Sequence, residues 1–118
     1  MIKEFAFIGI PVTDLPRARR FYEDVLGLKP SSEVVRNNIE YDVGEGTLMI
    51  ADYGERWRPA AGGTIAAFEV DDVDAMTARV KASGAAIQME PADSPVCRFS
   101  MVFDPDGNTL ILHKRKQE

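Results

Sequence analysis

The stretch FAFIGIPVTDLPRARRFYEDVLG (residues 5–27) decides the fold, because it joins an apolar strand directly to a capped helix. Its first eight residues are continuously apolar or glycine, which is typical of a strand in a core. Asp14 can accept from the free amides of the first helical turn, and Pro16 is tolerated there because its missing donor has no partner. Apolar side chains then recur at helical spacing, and Gly27 suits a left-handed helix end. The stretch predicts a strand and then a helix over 15–26.

The same strand, cap and helix return in the second half of the chain. Residues 64–70 are the predicted strand, and Asp72 follows Asp14 at a separation of 58 positions. The predicted second helix covers 72–83. Between the halves, the glycines and proline of residues 53–63 break both helical and strand periodicity, which indicates a loop. An internal repeat of this kind predicts two similar modules, about residues 1–53 and 63–118.

Strands are predicted after each helix. The sequence Asp104-Pro105-Asp106-Gly107 between two β-rich runs is a turn signal, because proline presets one dihedral and glycine accepts positive φ. Residues 43–46 occupy the matching place in the first half. The predicted order is therefore βαβββ twice, in one domain over residues 1–118. The predicted strands are 4–12, 28–36, 37–44, 46–52, 63–71, 86–90, 96–104 and 108–115.

Two motifs resemble the signatures of the vicinal oxygen chelate superfamily, which includes glyoxalase I, extradiol dioxygenases, fosfomycin-resistance enzymes and bleomycin-binding proteins. They are Val12-Thr13-Asp14-Leu15 with Phe21-Tyr22 and Leu26-Gly27-Leu28, and the closing Phe103-Asp104-Pro105-Asp106-Gly107-Asn108. The resemblance implies the glyoxalase/bleomycin-resistance fold, an α+β fold in which two tandem βαβββ modules form a curved mixed sheet around a cavity. It also implies a homodimer, but it identifies no substrate.

The superfamily's chemistry rests on a divalent metal held by His, Gln or Glu on the first and last strand of each module. The matching positions here carry only apolar side chains: Phe7, Met49, Ile65 and Ile111. Such a cation needs oxygen or imidazole ligands, and a thioether suits Cu(I) at best. We therefore predict no metal and no cofactor. Two interpretations stay open, because these side chains can fill the cavity as core or line a metal-free binding pocket.

Polar side chains near those positions indicate what such a pocket could bind. Strand alternation places His113 on the face of Ile111. If Phe103 pairs with Asn108, Arg98 lies opposite His113, and an arginine there could hold a carboxylate or phosphate through two hydrogen bonds. The same pairing and the repeat direct a set of polar side chains into the cavity: Arg36, Asn38, Glu40, Arg98 and Ser100. The alternative is a solvated outer face, because a slip of one residue reverses every side chain.

Two further residues are candidates for the site. Trp57 could be a lid that stacks on a flat ligand, or a dimer contact, since tryptophan is enriched at interfaces. His113 is the only histidine, and it could be a pH-responsive base or a hydrogen-bonded residue at the rim.

Composition excludes several classes of partner. The 118 residues are 45% hydrophobic and carry a net charge of −5, which argues against nucleic acid. Apolar runs such as residues 48–51 are far shorter than the roughly 20 residues that cross a membrane. The start of the chain lacks a signal-peptide pattern, and the single Cys97 allows no internal disulfide. We therefore expect a cytoplasmic protein with neither nucleic acid nor membrane as partner.

Three classes of function remain. The first is a metal-independent binder of a small organic molecule, anionic or aromatic, of unknown identity. The second is a lyase, isomerase or dioxygenase of the superfamily with a non-standard site, and the third is an accessory domain with a filled cavity. We predict the first, because the sequence offers no convincing replacement for the catalytic metal.

Overall fold

The computed structural model describes residues 1–117, which form two compact units, Met1–Pro59 and a second that begins at Ala60. Each unit contains one mixed β-sheet with a helical segment packed on one of its faces. No helix within residues 1–117 is long and apolar enough to cross a membrane.

The sheet of the first unit has three strands. β1 (Ile8–Pro11) runs parallel to β3 (Gly46–Ala51), and β2 (Asn38–Val43) pairs antiparallel with the other edge of β3. The helix α1 (Leu15–Arg19) continues directly as a π-helical segment, Arg20–Val25. The first and last strands of this unit are therefore direct neighbours.

The helix of the first unit begins and packs as its sequence predicts. The Asp14 carboxylate accepts a hydrogen bond from the Arg17 amide at 3.0 Å, which satisfies one of the free donors of the first turn. Tyr22 then stacks on Tyr41 of β2 with ring centroids 6.5 Å apart, and both rings are fully buried. This contact identifies the face of the sheet that the helix covers.

The second unit has one more strand. Its elements in chain order are β4 (Ala66–Glu69), α2 (Val73–Ala82), β5 (Ile87–Asp93), β6 (Cys97–Phe103) and β7 (Thr109–Arg115). The strand order is β4-β7-β6-β5, with β4 parallel to β7 and the other pairs antiparallel. The first strand again lies beside the last, so the two units share this arrangement.

The helix of the second unit repeats the cap of the first. The Asp72 carboxylate accepts from the Ala75 amide at 2.9 Å. Val80 on α2 is fully buried, as are Leu110 and Leu112 on β7. Burying an aliphatic side chain contributes about 1.5–3 kcal/mol, so this layer is a main source of the unit's stability.

The predicted α+β fold class is confirmed, but the predicted strand over 28–36 is wrong. That segment contains an isolated bridge between Pro30 and Tyr41 and a tight turn from Val35 to Asn38. Proline cannot donate to a strand ladder, and Val35 is more than half exposed, so burial does not stabilise a strand there. The predicted strand 4–12 is also shortened to β1.

Candidate ligand-binding site

An aromatic cluster, Phe7, Tyr53 and Trp57, lies against the first sheet on the face opposite the helix. A Cβ added to Gly9 would lie 2.5 Å from Trp57 Cη2 and 3.5 Å from Phe7 Cε2. The indole therefore packs directly on the backbone of β1, in space that a side chain would otherwise fill. The Tyr53 and Trp57 ring centroids are 6.0 Å apart, within the range of favourable aromatic pairs.

A short loop positions the Trp57 side chain. Residues Gly54–Arg56 form a 3₁₀ turn, and the Trp57 amide donates to the Gly54 carbonyl at 3.3 Å. Gly54 has a φ of +63°, a conformation that a side chain would strain. The Asp52 carboxylate accepts from the Gly54 amide at 3.3 Å. The loop thus returns the chain over the sheet just after β3.

Polar side chains border the aromatic cluster. The Asn38 side-chain amide donates to the Tyr53 hydroxyl at 2.7 Å. Glu40 pairs with Met49 across β2 and β3, and Gly9 pairs with Met49 from the other side, so the three lie in one row on this face. Met49 is only 8% exposed, whereas Glu40 is half-buried. The structure brings five predicted residues to this part of the first unit: Phe7, Asn38, Glu40, Met49 and Trp57.

Arg36 lies outside this row, contrary to the prediction that it lines the cavity together with Asn38. Arg36 and Asn37 have φ values of +51° and +63°, and the Val35 and Asn38 backbones exchange hydrogen bonds across them. This is the two-residue hairpin turn that suits the twist of adjoining strands. The Arg36 side chain is exposed at the tip of that turn.

The predicted pairing of β6 with β7 is wrong by one residue. Phe103 pairs with Thr109 rather than with Asn108. The reason is a closed turn, because the Asp104 amide donates to the Asn108 carbonyl at 2.9 Å. The Asp104 carboxylate also accepts from the amides of Asp106 and Asn108, each at 2.9 Å. A one-residue shift moves every predicted side chain of β6 to the other face.

Arg98 and Ser100 therefore face α2, and their predicted place in the cavity beside His113 and Ile111 is wrong. Arg98 donates to both carboxylate oxygens of Asp74 on α2, at 2.7 and 2.9 Å. This contact, chiefly the hydrogen bonding, lowers the pKa of Asp74 and raises that of Arg98. Ser100 is fully buried, with its hydroxyl 2.8 Å from that of Thr77. Both side chains stabilise the helix–sheet contact.

The opposite face of this sheet carries Ile111 and His113. Their partners on β6 are Met101 and Phe99, and all four side chains are half-buried. Ile65 directly precedes β4 and is also half-buried. Two of the three predicted residues on or next to this face are therefore aliphatic, and β6 adds two further apolar side chains.

His113 forms a hydrogen-bonded pair with Glu69, its neighbour across β4 and β7. His113 Nδ1 lies 2.6 Å from Glu69 Oε1, and Glu69 Oε2 accepts from the Arg115 amide at 2.7 Å. The amide bond first, and then the histidine bond, lower the pKa of Glu69 below its usual value. An ionised carboxylate only accepts, so the imidazole proton lies on Nδ1. The geometry fixes the ring's orientation and tautomer.

The residues at the family's metal positions do not fit a divalent cation. Phe7, Ile65 and Ile111 have no donor atom, and Met49 offers only a thioether. Within the described part of the chain, no group of three His, Cys, Asp or Glu side chains could hold a metal ion. The chemistry of the donor set therefore opposes the metal that the resemblance implies.

Sequence patterns did not single out several residues of these faces: Gly9, Tyr53, Glu69, Phe99 and Met101. A glycine inside an apolar strand is a signal for close approach of another group, and Gly9 carries it. Phe99 and Met101 follow from strand alternation once the register is correct. No comparable signal identifies the Glu69–His113 pair, which depends on the parallel alignment of β4 with β7.

Comparisons with known proteins agree with this architecture. The model of the Glyoxalase/Bleomycin resistance protein/Dioxygenase superfamily matches residues 4–112. The chain therefore belongs to that superfamily. Among relatives, the YaeR protein of Escherichia coli is 30% identical over 128 aligned positions, which cover 97% of this chain and 98% of that protein.

Longer relatives and solved structures extend the comparison. The Mycobacterium tuberculosis protein named "Putative glyoxylase CFP32" is 37% identical over 109 residues, 87% of this chain, and the chain spans 41% of its length. The crystal structure of TnmS3, described as an antibiotic binding protein from Streptomyces sp. CB03234, is 26% identical with a TM-score of 0.80, covering 98% of each chain. A glyoxalase/bleomycin resistance protein from the same organism is 27% identical, with a TM-score of 0.77 over 94% of this chain and 100% of that one.

Proposed function

We propose that this chain is a metal-independent binding protein for a small organic molecule that carries a flat aromatic ring. The observation that supports this most directly is the aromatic cluster on Gly9, next to a metal position filled by Met49. The similarity to an antibiotic binding protein of the same fold points the same way.

The contacts of the cluster suit such a ligand. Trp57 and Tyr53 offer ring faces, and each favourable aromatic pair contributes about 0.5–1.5 kcal/mol beyond the area it buries. Met49 supplies a soft, adaptable apolar contact. Asn38 and Glu40 border the cluster and supply the few polar groups that orient a ligand in a mostly apolar site.

The first experiment uses Trp57, the only tryptophan, as an intrinsic probe. Bleomycin and a panel of flat aromatic compounds are titrated against its fluorescence, and affinities are measured by calorimetry. We expect saturable quenching by at least one compound, and Trp57→Ala should weaken its binding by about 2 kcal/mol, or roughly 30-fold.

Two variants control for general effects. Phe5→Ala removes an aromatic ring that is 94% exposed, and Arg98→Ala removes a guanidinium paired with Asp74 on the helix side. Both should bind the ligand within about twofold of the unchanged protein. If Trp57→Ala keeps full affinity while Phe5→Ala loses it, the cluster is not the site.

Metal content and catalysis are tested separately. We expect purified protein to contain no stoichiometric Zn, Ni, Mn or Fe, and added metal to leave its Tm unchanged. An isomerase assay with the hemithioacetal of methylglyoxal and glutathione should stay at background. Activity that rises with added metal would replace this proposal with an enzyme of the superfamily.

The remaining predictions concern assembly and location. We propose a homodimer, to be tested by sedimentation of the purified chain, and a cytoplasmic location. We expect neither nucleic acid nor a membrane surface to bind, since the net charge is −5.

A further inference from the structure

A half-open surface cavity of about 610 Å³ is formed by residues of the second unit, beside the end of β7 and the turn between β5 and β6. Its lining residues are Pro95, Val96, His113, Arg115, Lys116 and Gln117. Small-molecule sites typically measure about 300–1,000 Å³, so the cavity is large enough for a metabolite. None of its lining residues belongs to the aromatic cluster.

The cavity is lined by cationic side chains. The Arg115 guanidinium forms no ion pair with any side chain of residues 1–117, and its side chain is exposed. Lys116 Nζ lies 3.4 Å from Asp93, but that carboxylate also receives a hydrogen bond from Arg98 at 2.8 Å. One carboxylate therefore faces two cations. The exposed Arg115 guanidinium acts on Glu69 only through its charge, which helps to lower the pKa of that carboxyl group after the two hydrogen bonds, and its donors stay accessible to a ligand. A guanidinium matches a carboxylate through two parallel hydrogen bonds.

His113 adds a second requirement that a ligand of this cavity must meet. Its Nδ1 proton is directed at Glu69 and the residue lines the cavity, so Nε2 is the polar atom of the ring that is left for a ligand. In the neutral ring, Nε2 is an acceptor, and it suits a ligand that donates a proton, such as a hydroxyl group. Glu69 fixes this tautomer from the opposite side of the ring.

We propose that this cavity binds a small hydroxycarboxylate, with its carboxylate on Arg115 and a hydroxyl that donates to His113 Nε2. Lys116 adds favourable charge at the rim. None of the residues that hold this ligand belongs to the aromatic cluster.

Three matched probes test the proposal on the full chain. Lactate has both groups, propionate lacks the hydroxyl, and lactamide lacks the charge. His113 is the only histidine, so its ring signals in a ¹H–¹³C spectrum need no assignment. Lactate should shift these signals saturably, propionate should bind at least threefold more weakly, and lactamide should give no saturable shift at the same ionic strength.

Two arginine variants and one lysine variant locate the anion. Arg115→Ala and Arg115→Gln should weaken lactate binding at least tenfold while keeping the melting temperature close to that of the unchanged protein. Lys114→Ala removes the same charge from the adjacent residue, whose Nζ donates to the Asp71 carbonyl and does not line the cavity. This control should bind lactate within twofold.

Several results would overturn the proposal. They are the absence of a saturable lactate shift, equal binding of lactamide, or equal losses in Arg115→Ala and Lys114→Ala, which would indicate only a general charge effect. Binding of propionate as tightly as lactate would contradict the role given to His113. Since Trp57 fluorescence reports the aromatic cluster and His113 reports this cavity, failure of one proposal is distinguishable from failure of the other.

Discussion

Replacing Gly9 with alanine places a methyl group inside the contact between β1 and Trp57. The new Cβ would lie 2.5 Å from Trp57 Cη2 and 2.9 Å from Cζ2. Carbon atoms pack at about 3.5–4.0 Å, so the indole must withdraw by roughly 1 Å. The indole also contacts the Tyr53 ring, whose centroid is 6.0 Å away and whose hydroxyl is held by Asn38, so its displacement disturbs that pair.

The net cost follows from two opposing effects. Overpacking typically costs about 1–3 kcal/mol, and replacement of glycine by alanine in compatible backbone gains about 0.4–1 kcal/mol from the unfolded state. Gly9 has no left-handed φ, so the backbone accepts alanine. We expect a net loss of roughly 0.5–2 kcal/mol, or a fall in Tm of roughly 2–8 °C for a domain of this size.

Fluorescence measures the displacement of the Trp57 ring, and calorimetry measures the change in Tm. The emission of Trp57 should shift to longer wavelength and become more accessible to acrylamide, because the ring leaves the sheet. Gly62→Ala is the matched control, since its Cβ position has no atom within 4 Å and its φ is not left-handed. In a Trp57→Ala background, Gly9→Ala should no longer destabilise the protein. An unchanged emission spectrum with an unchanged Tm would refute the proposed contact.

Two further predictions concern the helices. Thr77→Val should lower the free energy of unfolding by about 1–3 kcal/mol in chemical denaturation, because it leaves the buried Ser100 hydroxyl without this partner. Adding Ser100→Ala should recover most of the loss. If the double variant recovers nothing, the reasoning is contradicted. Burial opposes ionisation of Glu23, but hydrogen bonds from Arg19 and Tyr41 outweigh it, so its pKa lies below the ordinary value of 4.5. Its contribution to stability is therefore present above that value and is lost as the pH falls through the folded-state pKa. Glu23→Gln should make Tm less dependent on pH across this acidic range, and an identical pH profile would count against the assignment.

Local signals predicted the helices well. Asp14 and Asp72 both cap as expected, because the capping bond joins residues three positions apart and depends little on the rest of the fold. The repeated order of strand and helix follows from the same local patterns. The π-helical continuation of α1 at Arg20 was not predicted, since its sequence keeps the apolar spacing of an α-helix.

The sequence did not predict the strand register. The pairing of β6 with β7 depends on how the side chains of Asp104 and Asn108 close their turn, and a turn signal alone does not fix that geometry. The error moved Arg98 and Ser100 to the wrong face. Likewise, the contact between Gly9 and Trp57 joins residues distant in sequence, which periodicity cannot relate.

The parallel pairing of the first and last strands in each unit has a consequence for biosynthesis. Ile8 aligns with Leu48, and Ala66 aligns with Leu110, so the paired strands of each sheet lie 40 and 44 positions apart in the chain. Closing a loop of that length costs on the order of 3 kcal/mol in chain entropy before any ladder forms. During translation, β1 and then β4 must therefore wait on the ribosome without a partner until the final strand of their own unit emerges. Pauses placed just before either final strand would prolong that unpaired period, and folding yield should be most sensitive to translation speed at those two points.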